Sequence, residues 1–306
     1  MGGRLSVLIS CFNQRDFIGQ AVRSFFEQDH HDLEVVVLDD GSTDDSMEII
    51  AAAAAEAPFP VRFETQENHG PAYTYRRLAE MASGDYLLFM GGDDFVPPNS
   101  LKRRIDMLDN DPDLMLASGL CKVFFNGSVQ DFECPDEKTL ALNGKSADDM
   151  LKSMKRYKLL EDGMLIFTAT IFRKSDFMAS GGFSADMKCD DSVLFYNLFR
   201  YASGRNRRFA VIPELVLFYR RHENNISKDP WEMWLRFSEL YCRLGFKSRR
   251  QASFSAYAYY MKQVRQSGRW YQKEIIKRIM ADRAVIKYLT FGAICRDLLF
   301  PRFRRF

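Results

Sequence analysis

The sequence predicts an α/β fold in which a mostly parallel central sheet is flanked by helices. Between residues 5 and 125, runs rich in Val, Ile and Leu alternate four times with amphipathic stretches. Such repeated strand–helix pairs are typical of parallel sheets with helices on their faces. Two of the strand-like runs end in acidic pairs, Asp39-Asp40 and Asp93-Asp94. In open α/β sheets the ligand binds beyond the carboxyl ends of the strands, so both pairs are expected at one site.

The predicted elements follow one another in a regular order. Strands are expected in the runs LSVLIS, LEVVVL, VRFETQ and DYLLFM, and an amphipathic helix is expected after each of them. In the turn after the second strand, Ser42 or Thr43 can cap the N-terminus of the next helix. Asp44 and Asp45 then lie in its first turn, where negative charge is favoured by the helix dipole, and this is the simplest interpretation of that pair.

The pattern changes further along the chain. The polar stretch 126–146 is expected to be a loop or hairpin, and the run MLIFTATIFRK is expected to be a strand. A turn containing glycine then leads into a helix that begins near Asp191, and FAVIPELVLFYRR indicates one or two short strands. From Trp231 the pattern is helical and rich in aromatic and basic residues. We therefore predict a domain over residues 1–227 and a C-terminal helical extension over residues 228–306.

Composition narrows the class of protein. The 43 Lys and Arg residues against 41 Asp and Glu give a net charge of +2, which provides no electrostatic reason to expect a nucleic-acid partner. The six cysteines show no CxxC spacing, so neither a zinc site nor a disulfide framework is indicated. The N-terminus enters a strand without a leader peptide, and no segment reaches the roughly 18 apolar residues of a membrane span. A cytoplasmic location is therefore expected.

The C-terminal segment 284–306 combines positive charge with apolar residues. Its arginines and phenylalanines near the end are Arg296, Arg302, Arg304, Arg305, Phe300, Phe303 and Phe306. Such a segment can lie in the headgroup region of an anionic bilayer, where a lipid-linked acceptor would be found. This hypothesis makes the protein peripheral on the inner face of the cell membrane. Two other hypotheses are a helix packed on the body of the protein and the interface of a homo-oligomer.

Residues at the predicted strand ends match the needs of a nucleotide-sugar donor. Such a donor requires a face and a hydrogen bond for its base, a divalent cation beside its diphosphate, and a base for the acceptor hydroxyl. At the end of the first strand, Phe12 and Asn13 can flank a nucleobase. Asp40, at the end of the second strand, can accept a hydrogen bond from the N–H edge of that nucleobase.

The later acidic pairs supply the remaining chemistry. Asp93 and Asp94 can reach a ribose and a Mg²⁺ or Mn²⁺, because these hard cations prefer oxygen ligands and keep positions open for substrate phosphates. Either Asp190 or Asp191 can be the base that activates the acceptor hydroxyl, since both lie in a turn that glycines precede.

Five motifs in a single order carry a family resemblance. They are SVLISCFNQ, VVVLDDGSTDDS, NHGPA with ASGDYLLFMGGDDF, CDDSVLFYNLF and YRRHENNIS. Together they resemble the inverting glycosyltransferases of family 2, which have the GT-A nucleotide-diphospho-sugar transferase fold. The resemblance covers about Leu5 to Ser227.

The resemblance implies roles for the residues at the first two acidic pairs. It implies that Asp40 binds uracil or another base, with Phe12 beside it. It also implies that Asp93 and Asp94 bind the metal and the ribose. Many members have Asp-x-Asp-Asp at this place, whereas Gly91 replaces the first Asp here. Metal binding is therefore expected to rest on Asp93 and Asp94 alone.

Three more residues receive roles from the resemblance. Asp191 stands where the family has its catalytic base, and His222 stands in the loop that closes over the diphosphate. Where many members have Ala-Arg-Asn after the NxG turn, this chain has residues 74–76, Thr-Tyr-Arg. Arg76 is the candidate that this helix offers for a contact with the phosphate or the base.

The function implied by the resemblance is a metal-dependent inverting transfer of a sugar. The donor is a nucleotide-diphosphate sugar, with a UDP-sugar favoured, and the acceptor is a hydroxyl of a glycan or a lipid-linked molecule. Family analogy places this reaction in bacterial surface polysaccharide or glycolipid assembly. Residues 266–270, QSGRW, match the QxxRW signature of processive synthases, but the chain lacks predicted membrane spans, so non-processive transfer is expected. The alternative is a catalytically inactive module that binds a sugar nucleotide or a glycan.

Overall fold

The computed structural model describes residues 2–125, 127–131, 136–155, 165–184, 191–222 and residue 225. The described elements belong to a compact unit, Met1–His222. The predicted C-terminal extension over residues 228–306, with its basic tail and the QSGRW string, lies outside the described residues. The boundary at residue 227 and the three hypotheses for the tail therefore stay predictions.

The first half of the chain contains the four strand–helix repeats that the sequence predicts. In chain order the elements are β1 Leu5–Cys11, α1 Ile18–Arg23, β2 Leu33–Asp39, α2 Ser46–Glu56, β3 Val61–Thr65, α3 Pro71–Met81, β4 Tyr86–Gly91 and α4 Lys102–Asn110.

The second half is less regular. Its elements are β5 Leu114–Phe125, β6 Ser128–Asp131, α5 Asp136–Leu140, α6 Ala147–Lys155, a 3₁₀ turn Phe167–Ala169, β7 Thr170–Arg173, α7 Lys174–Ala179, α8 Asp191–Ala202 and β8 Arg208–Arg220. The polar stretch after β5 was expected to be a loop or hairpin; it contains a hairpin, since β6 pairs antiparallel with the end of β5, and also the helix α5, which was not expected. The run from Arg208 forms one long strand, where one or two short ones were expected.

These strands form an eight-stranded sheet in the order β3-β2-β1-β4-β7-β5-β6, with β8 paired to β5. Strands β3, β2, β1 and β4 run parallel to one another, and β8 runs parallel to β5. Strand β7 runs antiparallel between β4 and β5. Because the four parallel strands share one direction, their carboxyl ends meet at one edge of the sheet.

The core lies on both faces of the central strands. Every residue of β2 is buried, as are all but one of β1 and β4, which matches their nearly unbroken apolar sequences. Strand β3 lies at the edge of the sheet and is largely exposed. Among the described helices, none is long and apolar enough to cross a bilayer.

The prediction for the start of α2 was wrong. The helix begins at Ser46, and its N-cap residue Asp45 makes no capping hydrogen bond with its side chain. The residues expected to cap, Ser42 and Thr43, are instead bonded to Asp39 and Asn13. The hydroxyls of Ser42 and Thr43 therefore bond at the ends of β2 and β1 and are not used to cap the helix.

Candidate functional site

The two acidic pairs lie at the same edge of the sheet, on either side of β1. In the pairing register, Asp39 lies opposite Cys11 and Gly91 lies opposite Ser10. Since adjacent strands are about 4.8 Å apart, strands β2 and β4 are separated by about 10 Å across β1. Asp40 and the Asp93-Asp94 pair thus border a single region beyond the strand ends.

Asp39 organises the turn that follows β2. Its Oδ2 accepts hydrogen bonds from Ser42 N at 3.0 Å and from Thr65 Oγ1 at 3.0 Å, and Ser42 Oγ donates to its Oδ1. The side chain is buried. With both oxygens engaged by the protein, Asp39 holds the turn that follows β2.

Asn13 joins the turn after β1 to the turn after β2. Its backbone N donates to Ser42 Oγ at 2.8 Å, and its Oδ1 accepts from Thr43 N at 2.8 Å. Asn13 has a φ of +51°, a left-handed conformation that Asn tolerates better than most residues. Phe12 beside it is 46% exposed, so its ring presents an apolar face at this edge of the sheet.

Asp40 is buried and accepts three hydrogen bonds from the segment between β3 and α3. Its Oδ1 accepts from Gln66 Nε2 at 2.7 Å and from His69 N at 2.9 Å, and its Oδ2 accepts from Gly70 N at 2.8 Å. Gly70 has a φ of +84°, which a residue with a Cβ adopts only at a cost. This glycine turns two successive N–H groups towards the carboxylate.

Asp93 and Asp94 form a turn directly after β4. Gly92 N donates to Ser10 O at 2.8 Å, which fixes the turn to the end of β1. A Cβ atom on Gly91 would lie 2.6 Å from Asp93 Oδ1 and 3.8 Å from Asp94 Oδ2. Both carboxylates therefore converge over Gly91, in space that a side chain at that position would need.

The electrostatics of this turn favour a cation. Burial, and then the negative charge of Asp93, raise the pKa of Asp94 well above its ordinary value, while Arg220 acts in the opposite direction. Mg²⁺ is commonly held by one or two carboxylates together with substrate phosphates. The described residues contain no cluster of three or more His, Cys, Asp or Glu side chains arranged for a metal. Asp93 and Asp94 thus supply two converging carboxylates of the kind that can hold a divalent cation.

The end of β8 packs against the acidic turn. Arg220 N donates to Asp94 Oδ1 at 2.9 Å, and Arg220 Nε donates to Asp93 O at 2.7 Å. Its guanidinium lies over three aromatic rings, with its carbon 5.0 Å from the Phe17 centroid, 5.1 Å from Phe95 and 5.0 Å from Phe124.

His222 lies two residues beyond Arg220. Its Nε2 lies 3.0 Å from Asp93 Oδ2, and its ring centroid is 4.7 Å from that of Phe17. A long strand from the second half of the chain thus places an arginine and a histidine beside the Asp93-Asp94 turn.

The structure does not place two of the predicted site residues, Arg76 and Asp191, at the acidic turns. Arg76 is on the exposed side of α3, where its Nε donates to Glu80 Oε1 at 3.3 Å. Asp191 is the first residue of α8, as expected for the helix start, but the prediction for its carboxylate lies outside the described residues, as does Asp190. The roles of Arg76 and Asp191 therefore stay predictions.

The sequence did not single out two residues that organise the site. Gln66 lies in the polar run TQENHG, which has no pattern that distinguishes it from an ordinary loop. Arg220 was visible only as one of two arginines in YRRHEN. Both act through residues far away in sequence, so no local signal identifies them.

Comparison with known proteins places the chain in a family. A model described as glycosyl transferase family 2 matches residues 6–179, more than half of the chain. An uncharacterized glycosyltransferase of Nostoc sp., alr2836, is 32% identical over 104 residues, which are 34% of this chain and 32% of that protein. The match thus spans about a third of the length of that curated relative.

Solved structures share the fold at low sequence identity. TarS of S. aureus in complex with UDP-GlcNAc has a TM-score of 0.62 at 16% identity, over 83% of this chain and 70% of that one. The mannosyltransferase PcManGT from Pyrobaculum calidifontis, in complex with GDP-Man and Mn²⁺, has a TM-score of 0.53 at 17% identity, over 96% and 85%. The family predicted from the five motifs is confirmed: this chain belongs to glycosyltransferase family 2, and its fold is GT-A.

Proposed function

We propose that this chain is a metal-dependent, inverting and non-processive glycosyltransferase that uses a nucleotide-diphosphate sugar as donor. The observation that carries the proposal is the placement of Asp40 and the Asp93-Asp94 turn on either side of β1, at one edge of the sheet. The nucleotide-sugar complexes of TarS and PcManGT, which share the fold, also support it.

In the proposed donor complex, each residue group contacts a different part of the nucleotide. Asp40 accepts a hydrogen bond from the base, and the exposed ring of Phe12 lies against its face. Asp93 and Asp94 hold the ribose and a Mg²⁺ or Mn²⁺. When bound, that cation neutralises the charge that develops on the departing diphosphate. Arg76, on the exposed side of α3, contacts the phosphate or the base.

Transfer follows as a single in-line displacement. Asp191 takes the proton of the acceptor hydroxyl as its oxygen attacks the anomeric carbon and the bond to the diphosphate breaks, which inverts the configuration at that carbon. A carboxylate has a pKa of about 4, far below that of an alcohol, so Asp191 acts in the transition state, when the hydroxyl is already losing its proton. His222 and Arg221, at the end of β8, favour the negative charge on the leaving group.

The acceptor and the location are proposed by analogy. We infer a glycan or lipid-linked acceptor from bacterial surface polysaccharide or glycolipid assembly, reached at the cytoplasmic face of the membrane through the basic tail. The experiment for this part is sedimentation of the full chain with vesicles that contain or lack anionic lipid. Binding to neither kind would leave the donor site intact as a proposal and remove the membrane contact.

Calorimetric titration tests the donor site itself. The full chain would be titrated with UDP, GDP and dTDP, each with Mn²⁺ and with EDTA, and the series repeated with Asp94→Asn. We expect at least one nucleotide to bind with Mn²⁺ and to lose most of its affinity with EDTA or in the variant. If no nucleotide binds the wild-type chain under either condition, the proposal is wrong. Binding without any sugar transfer would favour the catalytically inactive module.

A further inference from the structure

The hydrogen bonds around Asp40 leave it little capacity for a ligand. A carboxylate has about four acceptor positions, two on each oxygen. Oδ1 already accepts from Gln66 Nε2 and His69 N, and Oδ2 accepts from Gly70 N. Asp40 therefore has both positions of Oδ1 filled, and a single acceptor position remains on Oδ2.

Gln66 is held in the orientation that fills Oδ1. Its Nε2 donates to Asp40 Oδ1 at 2.7 Å and to Thr74 Oγ1 at 3.1 Å, and its Oε1 accepts from Arg77 Nη1 at 2.8 Å. A carboxylate only accepts and a guanidinium only donates, so a flipped amide would lose both strong bonds. Thr74 is fully buried and donates its own hydrogen to Gly70 O at 2.9 Å, which leaves its oxygen to accept from Gln66.

We propose that Gln66 is a specificity-determining residue that restricts the site to a nucleobase offering Asp40 a single N–H, as uracil and thymine do through N3. Guanine presents two adjacent donors on its corresponding edge, N1–H and N2–H, which pair side by side with a carboxylate only when each of its oxygens has an acceptor position left. This inference rests on the proposed function, in which Asp40 receives the base. It narrows the donor to uridine or thymidine diphosphate sugars.

The expected preference for UDP over GDP follows from the N–H group of guanine that would find no acceptor. Guanine would direct its second N–H at Oδ1, which already accepts two hydrogen bonds, and a donor left without an acceptor in a desolvated site costs about 1–3 kcal/mol, equivalent to a factor of about 5 to 150 in affinity. We therefore expect UDP to bind about 5- to 150-fold more tightly than GDP.

The test compares UDP and GDP affinities by calorimetry in Mn²⁺ for the wild type, Gln66→Met and Arg77→Met. Gln66→Met has a similar length and no donor, so it opens one position on Oδ1, and the UDP preference should fall by about tenfold. Arg77→Met removes the neighbour that orients Gln66 Oε1 but leaves the Gln66–Asp40 bond, so it should keep most of the preference. The melting temperature of each variant shows whether it is folded.

Each outcome has a distinct meaning. GDP binding as tight as UDP binding to the wild type, a measurement that needs no variant, would overturn this inference while supporting the proposed function. An unchanged preference in a folded Gln66→Met would also overturn it. Failure of the wild type to bind UDP, GDP or dTDP would remove the proposed function and this inference together. A loss of UDP preference confined to Gln66→Met is the supporting result.

Discussion

Nε2 of His222 lies 3.0 Å from Oδ2 of Asp93, which joins the end of β8 to the turn after β4. The two residues are 129 positions apart in the chain. Both side chains are mostly buried, at 18% and 16% exposure, so their contact is shielded from bulk water. This pair sets the position of one of the two carboxylates that would face a cation.

Replacing His222 should weaken metal-dependent nucleotide binding. In His222→Ala, Asp93 loses a neighbour that orients its Oδ2, and we expect UDP affinity in Mn²⁺ to fall by about tenfold. Calorimetry with Mn²⁺ measures this change. His30→Ala is the matched control, because His30 lies at the opposite end of the sheet, where its Nε2 is 3.0 Å from Asp32 O. Equal affinities for the two variants would contradict the assignment.

A single methyl group at position 91 should disturb the same carboxylates. The Cβ of Gly91→Ala would lie 2.6 Å from Asp93 Oδ1, so Asp93 must move. Gly91 is not among the residues with positive φ, so its backbone suits alanine, and the stability of the fold should hold or rise slightly. We expect Mn²⁺-dependent UDP affinity to fall by about five- to tenfold while the melting temperature stays the same or rises slightly. Retention of full affinity would show that Asp93 can rearrange at no cost.

Asp191→Asn should separate catalysis from donor binding. If Asp191 is the base, its loss should lower kcat by about 100- to 10,000-fold while UDP affinity in Mn²⁺ stays the same. The rate of UDP release from a donor in the presence of an acceptor measures this effect. Asp148→Asn is the control, since Asp148 lies in the first turn of α6 and its Oδ1 accepts from Ser203 Oγ at 2.6 Å. A kcat equal to that of the wild type would exclude Asp191 as the base.

Glu34 should make the stability of the fold depend on pH. Its side chain, 4% exposed, accepts from Ser6 Oγ at 2.6 Å, Ser83 N at 2.7 Å and Ser83 Oγ at 2.8 Å. Burial opposes ionisation, but these hydrogen bonds and Arg62 outweigh it and lower the pKa of Glu34.

Because the pKa of Glu34 is lower in the folded state, its carboxylate stabilises the fold above the unfolded pKa of about 4.3. That contribution is lost as pH falls through the folded pKa. We expect Glu34→Gln to reduce the free energy of unfolding by about 1.5–3 kcal/mol at pH 7, with a smaller difference below pH 4. Urea unfolding of the wild type and the variant at pH 7 and below pH 4 measures this difference in the free energy of unfolding. A difference from the wild type that does not change with pH would assign the effect to packing.

Local sequence patterns were enough to predict the sheet and the positions of the acidic pairs. Strands β1, β2 and β4 are buried on both faces, and a strand of this kind can be recognised in a sequence because its residues form a nearly unbroken apolar run. Asp40 and Asp93 were also found from sequence, because a strand end followed by carboxylates needs only neighbouring residues to be recognised. The five motifs in order then identified the family.

The sequence by itself therefore determined the mostly parallel sheet, the edge of it at which the acidic pairs lie, and the family. Only the tertiary structure decided that Ser42 and Thr43 bond to Asp39 and Asn13 and do not cap α2. It also decided that Gln66 fills Oδ1 of Asp40 and that Arg220 holds the Asp93-Asp94 turn. The physical reason is that burial and helix periodicity are local properties, whereas a hydrogen bond depends on which distant side chains the folded sheet brings within 3 Å.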